Sequence, residues 1–168
     1  SVASFIRDKI SGMSGERGGI VHRLDRATSG VMLCARNEST LSFLQRQFHD
    51  RAVSKTYQAI VSKKLEHAQA TINAPIMRDS RNPKQFMIDQ NGKNAETDYS
   101  VLKTSGTYSL VELKPKTGRT HQLRLHLKHI GAPIVGDELY GGEVAPRMML
   151  HASSLSIKLP DGEMKTFK

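Results

Sequence analysis

The chain has 168 residues and 38% hydrophobic content, enough for one domain with a core of its own. No apolar run approaches the roughly 18 residues a membrane-spanning helix requires, and the polar stretch Ser1 to Arg17, broken by Gly12 and Gly15, does not read as a signal peptide. Lys and Arg number 25 against 16 acidic residues, a net charge of +9, and the pI is near 9.8. Such a surface attracts polyanions, most commonly nucleic acid, although charge alone leaves RNA, DNA and anionic lipid open.

The first part of the chain is loop, then short strand, then helix. Gly12 to Gly19 reads as a loop. Val31 to Arg36 is a short apolar run expected to form a buried strand, with the lone Cys34 inside it as a small hydrophobe rather than a nucleophile. One cysteine makes no intramolecular disulfide, and a reducing cytoplasm is the default compartment. Glu38 to His49 has helical spacing, with Leu41, Leu44 and Phe48 on one face and Asn37 as N-cap.

Strands dominate the chain after this helix. Lys55 to Ser62 alternates, with Tyr57, Ala59 and Val61 pointing one way. Thr71 to Met77 is a further strand candidate that Pro75 makes an edge or a break. Arg78 to Lys93 is polar and reads as a long mobile loop whose Arg78, Arg81, Lys84 and Lys93 are equally consistent with phosphate contact and with ordinary solvated charge. Ala95 to Leu102 and Tyr108 to Lys114 form a strand pair around Thr104-Ser105-Gly106. A helix spans about Thr120 to Ile130, with Leu123, Leu127 and Ile130 as its buried stripe and Gly131 as its stop. Leu155, Ile157 and Leu159 alternate in a last strand ended by Pro160-Asp161-Gly162. The strand-rich order predicts an α+β domain with a mixed, mainly antiparallel sheet and a few flanking helices.

Two segments carry chemistry. In His22-Arg23-Leu24-Asp25-Arg26-Ala27-Thr28-Ser29-Gly30 a carboxylate lies between two arginines in a loop. Neighbouring positive charge keeps such a carboxylate ionised, ready to act as nucleophile or base, although a surface ion pair satisfies the same spacing. In Gly118-Arg119-Thr120-His121-Gln122-Leu123-Arg124-Leu125-His126, His121, Arg124 and Lys128 share a helix face. An arginine there can grip a carboxylate through two parallel hydrogen bonds or lie on phosphates. His121, His126 and His129 invite a metal reading, but they lack a Cys partner, a His-Glu-x-x-His pattern or an Asp cluster. Aromatics are scarce, with Tyr 4, Phe 5 and Trp 0, too few for a platform stacking many bases and suited to handling one extruded base.

These residues resemble the RluA family of pseudouridine synthases. His22 to Gly30 matches that family's His-Arg-Leu-Asp-x-x-Thr-Ser-Gly motif in full. Lys55, Tyr57 and Ala59 match Lys-x-Tyr-x-Ala, and Gly118 to His126 matches Gly-Arg-Thr-His-Gln-Leu-Arg-x-His. Gly136-Asp137 with Tyr140-Gly141, and Leu150-His151-Ala152, also look like the family, so the likeness covers residues 20 to 157 in family order. The resemblance implies the pseudouridine synthase catalytic fold and an RNA-modifying isomerase acting on uridines of rRNA or tRNA without metal or organic cofactor. By the same resemblance Asp25 is the catalytic aspartate, Tyr57 packs on the target uracil, Arg124 pairs with the aspartate, and Arg23 fills the space left by the displaced nucleotide. The other motif side chains, His22, Arg26, Arg119 and His121, are assigned to RNA contact. The Tyr57 hydroxyl is a candidate for moving the C5 proton.

The chain departs from the pattern at its start. Only Ser1 to Val21 precede His22, without the Lys-Pro-x-Gly strand such proteins carry, and no S4-type domain is visible. The expectation is a single catalytic domain over 1–168, truncated at the N-terminus, monomeric, partnered by structured RNA and not by a membrane. Two other readings stand beside it. One is a catalytically silent RNA-binding or RNA-chaperone module with the same fold. The other is a metal-dependent nuclease, which the lack of a carboxylate cluster disfavours.

Overall fold

The computed structural model describes residues 5–6 and 18–168. The chain forms two compact units. One comprises the described residues up to Leu24 with Gly30–Ser54 and Ser154–Lys168; the other comprises Asp25–Ser29 and Lys55–Ser153.

The first unit is organised by helix α1, Glu38–His49. The Asn37 side chain accepts the Thr40 N–H at 2.8 Å, satisfying a donor that would otherwise be orphaned at the helix start. Leu44 is buried, with Leu41 and Phe48 beside it, in a core that includes Val21, Ala35, Val53, Leu155 and Ile157. The expected strand over Val31 to Arg36 does not form as such. Only the dipeptide Ser29–Gly30 is strand β1, and Cys34 makes a single antiparallel bridge to Ile20. The reason is a partner eleven residues back in the chain, because Leu33 gives its backbone N–H to His22 Nε2 at 3.1 Å rather than to a neighbouring strand. Cys34 is half-buried, and burial raises its thiol pKa, in keeping with an inert side chain. Most of the loop expected over Gly12 to Gly19 lies outside the described residues. Gly18 and Gly19 both take positive φ.

The second unit holds most of a mixed, mainly antiparallel sheet. The sheet's strands are β2 (Ser54–Val61), β3 (Gln69–Asn73), β6 (Glu96–Ser105), β7 (Tyr108–Pro115) and β8 (Leu150–Lys158, of which 150–153 belong to this unit), in the order β1-β8-β2-β7-β6-β3. β2–β7, β6–β7 and β3–β6 pair antiparallel. The β6–β7 hairpin turns over two residues, with Gly106 at φ +58°, a conformation glycine adopts without steric cost. Pro75 breaks the chain after β3, as its missing N–H requires. The next three residues, Ile76–Arg78 (β4), pair instead with Phe86–Ile88 (β5) in a separate two-stranded sheet. The segment 78–93 is therefore a hairpin with a polar tip rather than a featureless loop. Its apolar residues Phe86 and Ile88 pack on the cluster of Ile76, Ala95, Leu125 and Tyr140.

Helix α2, Gln122–His129, lies inside this unit. Leu123 and Leu127 join the main core with Val61, Val111, Leu113 and Ile134, while Leu125 joins the second cluster. The helix is thus buried on more than the one predicted stripe, and Ile130 lies past its end, half-exposed. Gly131 follows at φ +71° and ends the helix as expected. In the first unit, residues 155–158 of β8 pair with a further strand, β9 (Met164–Phe167), so Pro160-Asp161-Gly162 is a hairpin turn and not the end of the sheet.

Candidate active site

Asp25 opens a tight turn in which the Thr28 N–H donates to the Asp25 carbonyl at 2.9 Å. Its carboxylate is half-buried, and the cation beside it is Arg124, with Nη1 3.9 Å from Oδ2. Arg23 and Arg26 are exposed.

Arg124 projects from α2 and is nearly buried. Its two-point grip falls on Asp137 and not on Asp25. Nε donates to Asp137 Oδ2 at 2.8 Å and Nη2 to Oδ1 at 2.7 Å, leaving Nη1 for Asp25. The guanidinium also lies over the Tyr140 ring, 4.8 Å from its centroid, a favourable cation–π placement. Burial by itself would lower the Arg124 pKa, but the hydrogen bonds and charge of Asp137, with Asp25 behind them, raise it above its ordinary value. The site therefore keeps a permanent cation at this point.

Tyr140, on a short 3-10 turn at Glu138–Tyr140, collects the helix face that the spacing of His121, Arg124 and Lys128 defined. Besides the Arg124 contact, Lys128 Nζ lies 5.6 Å from its ring centroid. The His121 Nδ1 is 2.7 Å from its hydroxyl. That hydroxyl accepts the Phe86 N–H at 3.0 Å, which ties the β4–β5 hairpin to the same residue. His121 holds φ +56°, a left-handed conformation that costs about 1–3 kcal/mol in a non-glycine residue and persists where its surroundings enforce it.

Tyr57 on β2 is half-buried. Burial first, and the Asp25 charge second, push its phenol up to about 12. At neutral pH it is an un-ionised ring with a hydroxyl to donate. Lys55, two residues earlier, is partly desolvated, which lowers its ammonium pKa.

Other motif residues build the frame. Gln122 donates from Nε2 to the Glu96 carbonyl at 2.9 Å and to Thr97 Oγ1 at 3.0 Å, and its Oε1 accepts from Thr117 Oγ1 at 2.7 Å and the Arg119 N–H at 2.9 Å. His126, fully buried, donates from Nε2 to the Ala74 carbonyl and accepts from Thr97 at Nδ1, both at 3.0 Å. Arg119 Nε donates to the Asn94 carbonyl at 3.0 Å. His22, in the first unit, stacks on Phe48 with ring centroids 4.6 Å apart and takes the Leu33 N–H.

Asp25 and Arg124 thus come together in the second unit, where Tyr57 also lies, while His22 and Arg23 belong to the first. The residue that sequence reasoning left without a role is Asp137. The signal for it was present in Gly136-Asp137 with Tyr140-Gly141, but spacing does not say which carboxylate a distant arginine will take.

Comparison with known proteins shows which family the chain resembles. The sequence pattern described as RNA pseudouridylate synthase matches residues 3–129. The chain is 47% identical over 156 residues to the ribosomal large subunit pseudouridine synthase D of Borreliella burgdorferi, covering 90% of this chain and 48% of the relative. It is 41% identical over 155 residues to the dual-specificity RNA pseudouridine synthase RluA of Escherichia coli, covering 88% and 71%. Among solved structures, human RNA Pseudouridylate Synthase Domain Containing 1 superposes with a TM-score of 0.87 at 33% identity, over 99% of this chain and 72% of that one. The chain spans about half the length of the first relatives it matches. With the fold and the motifs both matching, the chain belongs to the RNA pseudouridylate synthase family.

Proposed function

We propose that this chain, as one catalytic domain, isomerises uridines of structured RNA to pseudouridine, with Asp25 as the catalytic carboxylate. The observation that carries the reading is the grouping of Asp25 with Arg124 at 3.9 Å and with Tyr57, whose phenol feels the Asp25 charge. Isomerisation breaks the N1–C1′ bond, turns the base and joins C5 to C1′, with no redox change and no net transfer. An ionised carboxylate is the group it needs, either attacking C1′ or promoting a glycal by taking a proton. The target nucleotide must leave its stack to be turned, and Tyr57 offers a flat face to the extruded uracil.

Affinity for RNA follows from the +9 charge and the exposed Arg23 and Arg26 around the Asp25 turn. By its likeness to the family, Arg23 would fill the gap left by the extruded base. Arg119 and His121 would meet RNA through the loop they stiffen, and His22 by its likeness to the family's motif. The likeness to a ribosomal large subunit enzyme makes rRNA the first substrate to try, with tRNA beside it.

The test is to incubate the protein with uridine-containing rRNA and tRNA fragments and measure pseudouridine, then repeat with Asp25→Asn. Product formation by the wild type and a fall of roughly 10³-fold or more in the variant are expected. Undiminished turnover by Asp25→Asn would refute the assignment. RNA bound without product on every substrate would favour the silent binding module. Binding should weaken steeply with salt if the arginines meet phosphates.

A further inference from the structure

We propose that Arg147 is a positioning residue that latches the Asp25 turn to the turn carrying Asp137, so that the carboxylate stays aimed beside Arg124. The inference rests on the reading of Asp25 as the catalytic group. Ser29 follows the Asp25–Thr28 turn directly, and its Oγ receives Arg147 Nη2 at 2.5 Å. The same oxygen is 2.8 Å from His151 Nδ1, to which it can donate its own hydrogen. The guanidinium is steadied by the Met148 carbonyl, 3.2 Å from Nε, and the Leu150 carbonyl, 3.4 Å from Nη2.

The backbone of Arg147 faces the other turn. Gly136 approaches so closely that a Cβ placed on it would be 2.0 Å from the Arg147 carbonyl oxygen. Gly136 precedes Asp137, the residue that holds Arg124. One residue therefore touches both turns, its main chain against the segment that fixes the arginine and its side chain on the segment that presents the acid. Arg147 is exposed, yet its Nε and Nη2 are directed at three acceptors of the protein, which is the arrangement of a clamp.

Two measurements on Arg147→Ala test the latch. The first, without RNA, is amide exchange at Thr28, whose N–H bonds to the Asp25 carbonyl; loosening the turn should speed it about tenfold. The second compares the single-turnover rate with the RNA Kd. The rate should fall about tenfold with Kd changed less than about twofold, and Arg147→Lys, which keeps one donor in reach of Ser29, should recover part of it. Unchanged Thr28 exchange overturns the latch whatever the activity. A loss of rate matched by an equal loss of RNA affinity overturns it in favour of a phosphate contact. Failure of the functional reading shows elsewhere, as a wild-type protein that forms no product, and would remove the catalytic meaning of the latch while exchange still decides the contact.

Discussion

Asp137 holds Arg124 by two parallel hydrogen bonds of 2.7 and 2.8 Å, and both side chains are nearly excluded from solvent. A buried pair of this kind is costly to break from one side, because the partner is left charged and unpaired. Asp137→Ala should therefore lower unfolding stability by about 3–5 kcal/mol, read from the denaturant midpoint. Arg124→Lys keeps the charge but cannot grip Asp137 at two points and reach Asp25 with a third nitrogen. Turnover should drop about 100-fold, the scale of a small misplacement at a reacting centre, with RNA affinity preserved. Equal losses in turnover and binding would make Arg124 a phosphate contact.

Tyr57 gives a pH prediction. Its phenol is raised from 10 to about 12, so the folded protein keeps that proton where the unfolded chain loses it. By linkage, its contribution to stability is present below pH 10 and is lost as the pH rises from about 10 to about 12. Over the neutral range the ring does not titrate, and Tyr57 should add no basic limb to the rate profile below about pH 10. Tyr57→Phe, which keeps the flat face, should cost less than about fivefold in turnover, and Tyr57→Ala roughly 100-fold. A phenylalanine variant as inactive as the alanine variant would restore a chemical task to the hydroxyl.

His126 makes the opposite prediction at low pH. Burial, opposed by the Ala74 hydrogen bond and aided by nearby His129, lowers its pKa from the usual 6.5. The unfolded chain takes up a proton near pH 6.5 that the folded protein refuses. Stability from this group is complete above that pH and falls as the solution is acidified below it. Urea midpoints between pH 7.5 and 5.5 should fall, and His126→Gln should flatten the slope while lowering stability at every pH. An unchanged slope in the variant would move the effect to another group.

Gly136→Ala tests the close approach beside Asp137. The new methyl would meet the Arg147 carbonyl at 2.0 Å from a backbone at φ +80°. Clash and strain together should cost about 2 kcal/mol or more, measured by denaturation. A variant as stable as the wild type would show that this turn shifts freely.

The parts of the fold most readable in the sequence were those governed by local rules. Asn37 capped α1 because a side-chain oxygen three residues before Thr40 can reach its N–H. Pro75 ended β3, Gly131 ended α2, and the alternation of Tyr57, Ala59 and Val61 predicted β2. The readings that failed turned on partners distant in the chain or on elements too short to have a period. Val31 to Arg36 has the composition of a strand, but His22 takes the Leu33 donor. Phe86–Ile88 and Ile76–Arg78 are three residues each, and the packing of Phe86 and Ile88 with the Tyr140 hydroxyl bond to Phe86 holds what local propensity does not. The approach of Arg124 to Asp25 was anticipated from motif likeness alone. The partner of Arg124 was not, because a guanidinium chooses its carboxylate by geometry across 13 residues.

The polar side chains that rivet α2 to its surroundings bear on how the protein can evolve. Gln122 spends all four of its hydrogen-bonding positions, and His126 both ring nitrogens, one turn further along. Slippage of the helix by a single residue would orphan every one of these groups at once, whereas its leucines could trade places with other apolar side chains at modest cost. The helix is therefore indexed like a key in a lock, and Arg124 keeps its place through the wear of ordinary substitution in the core around it.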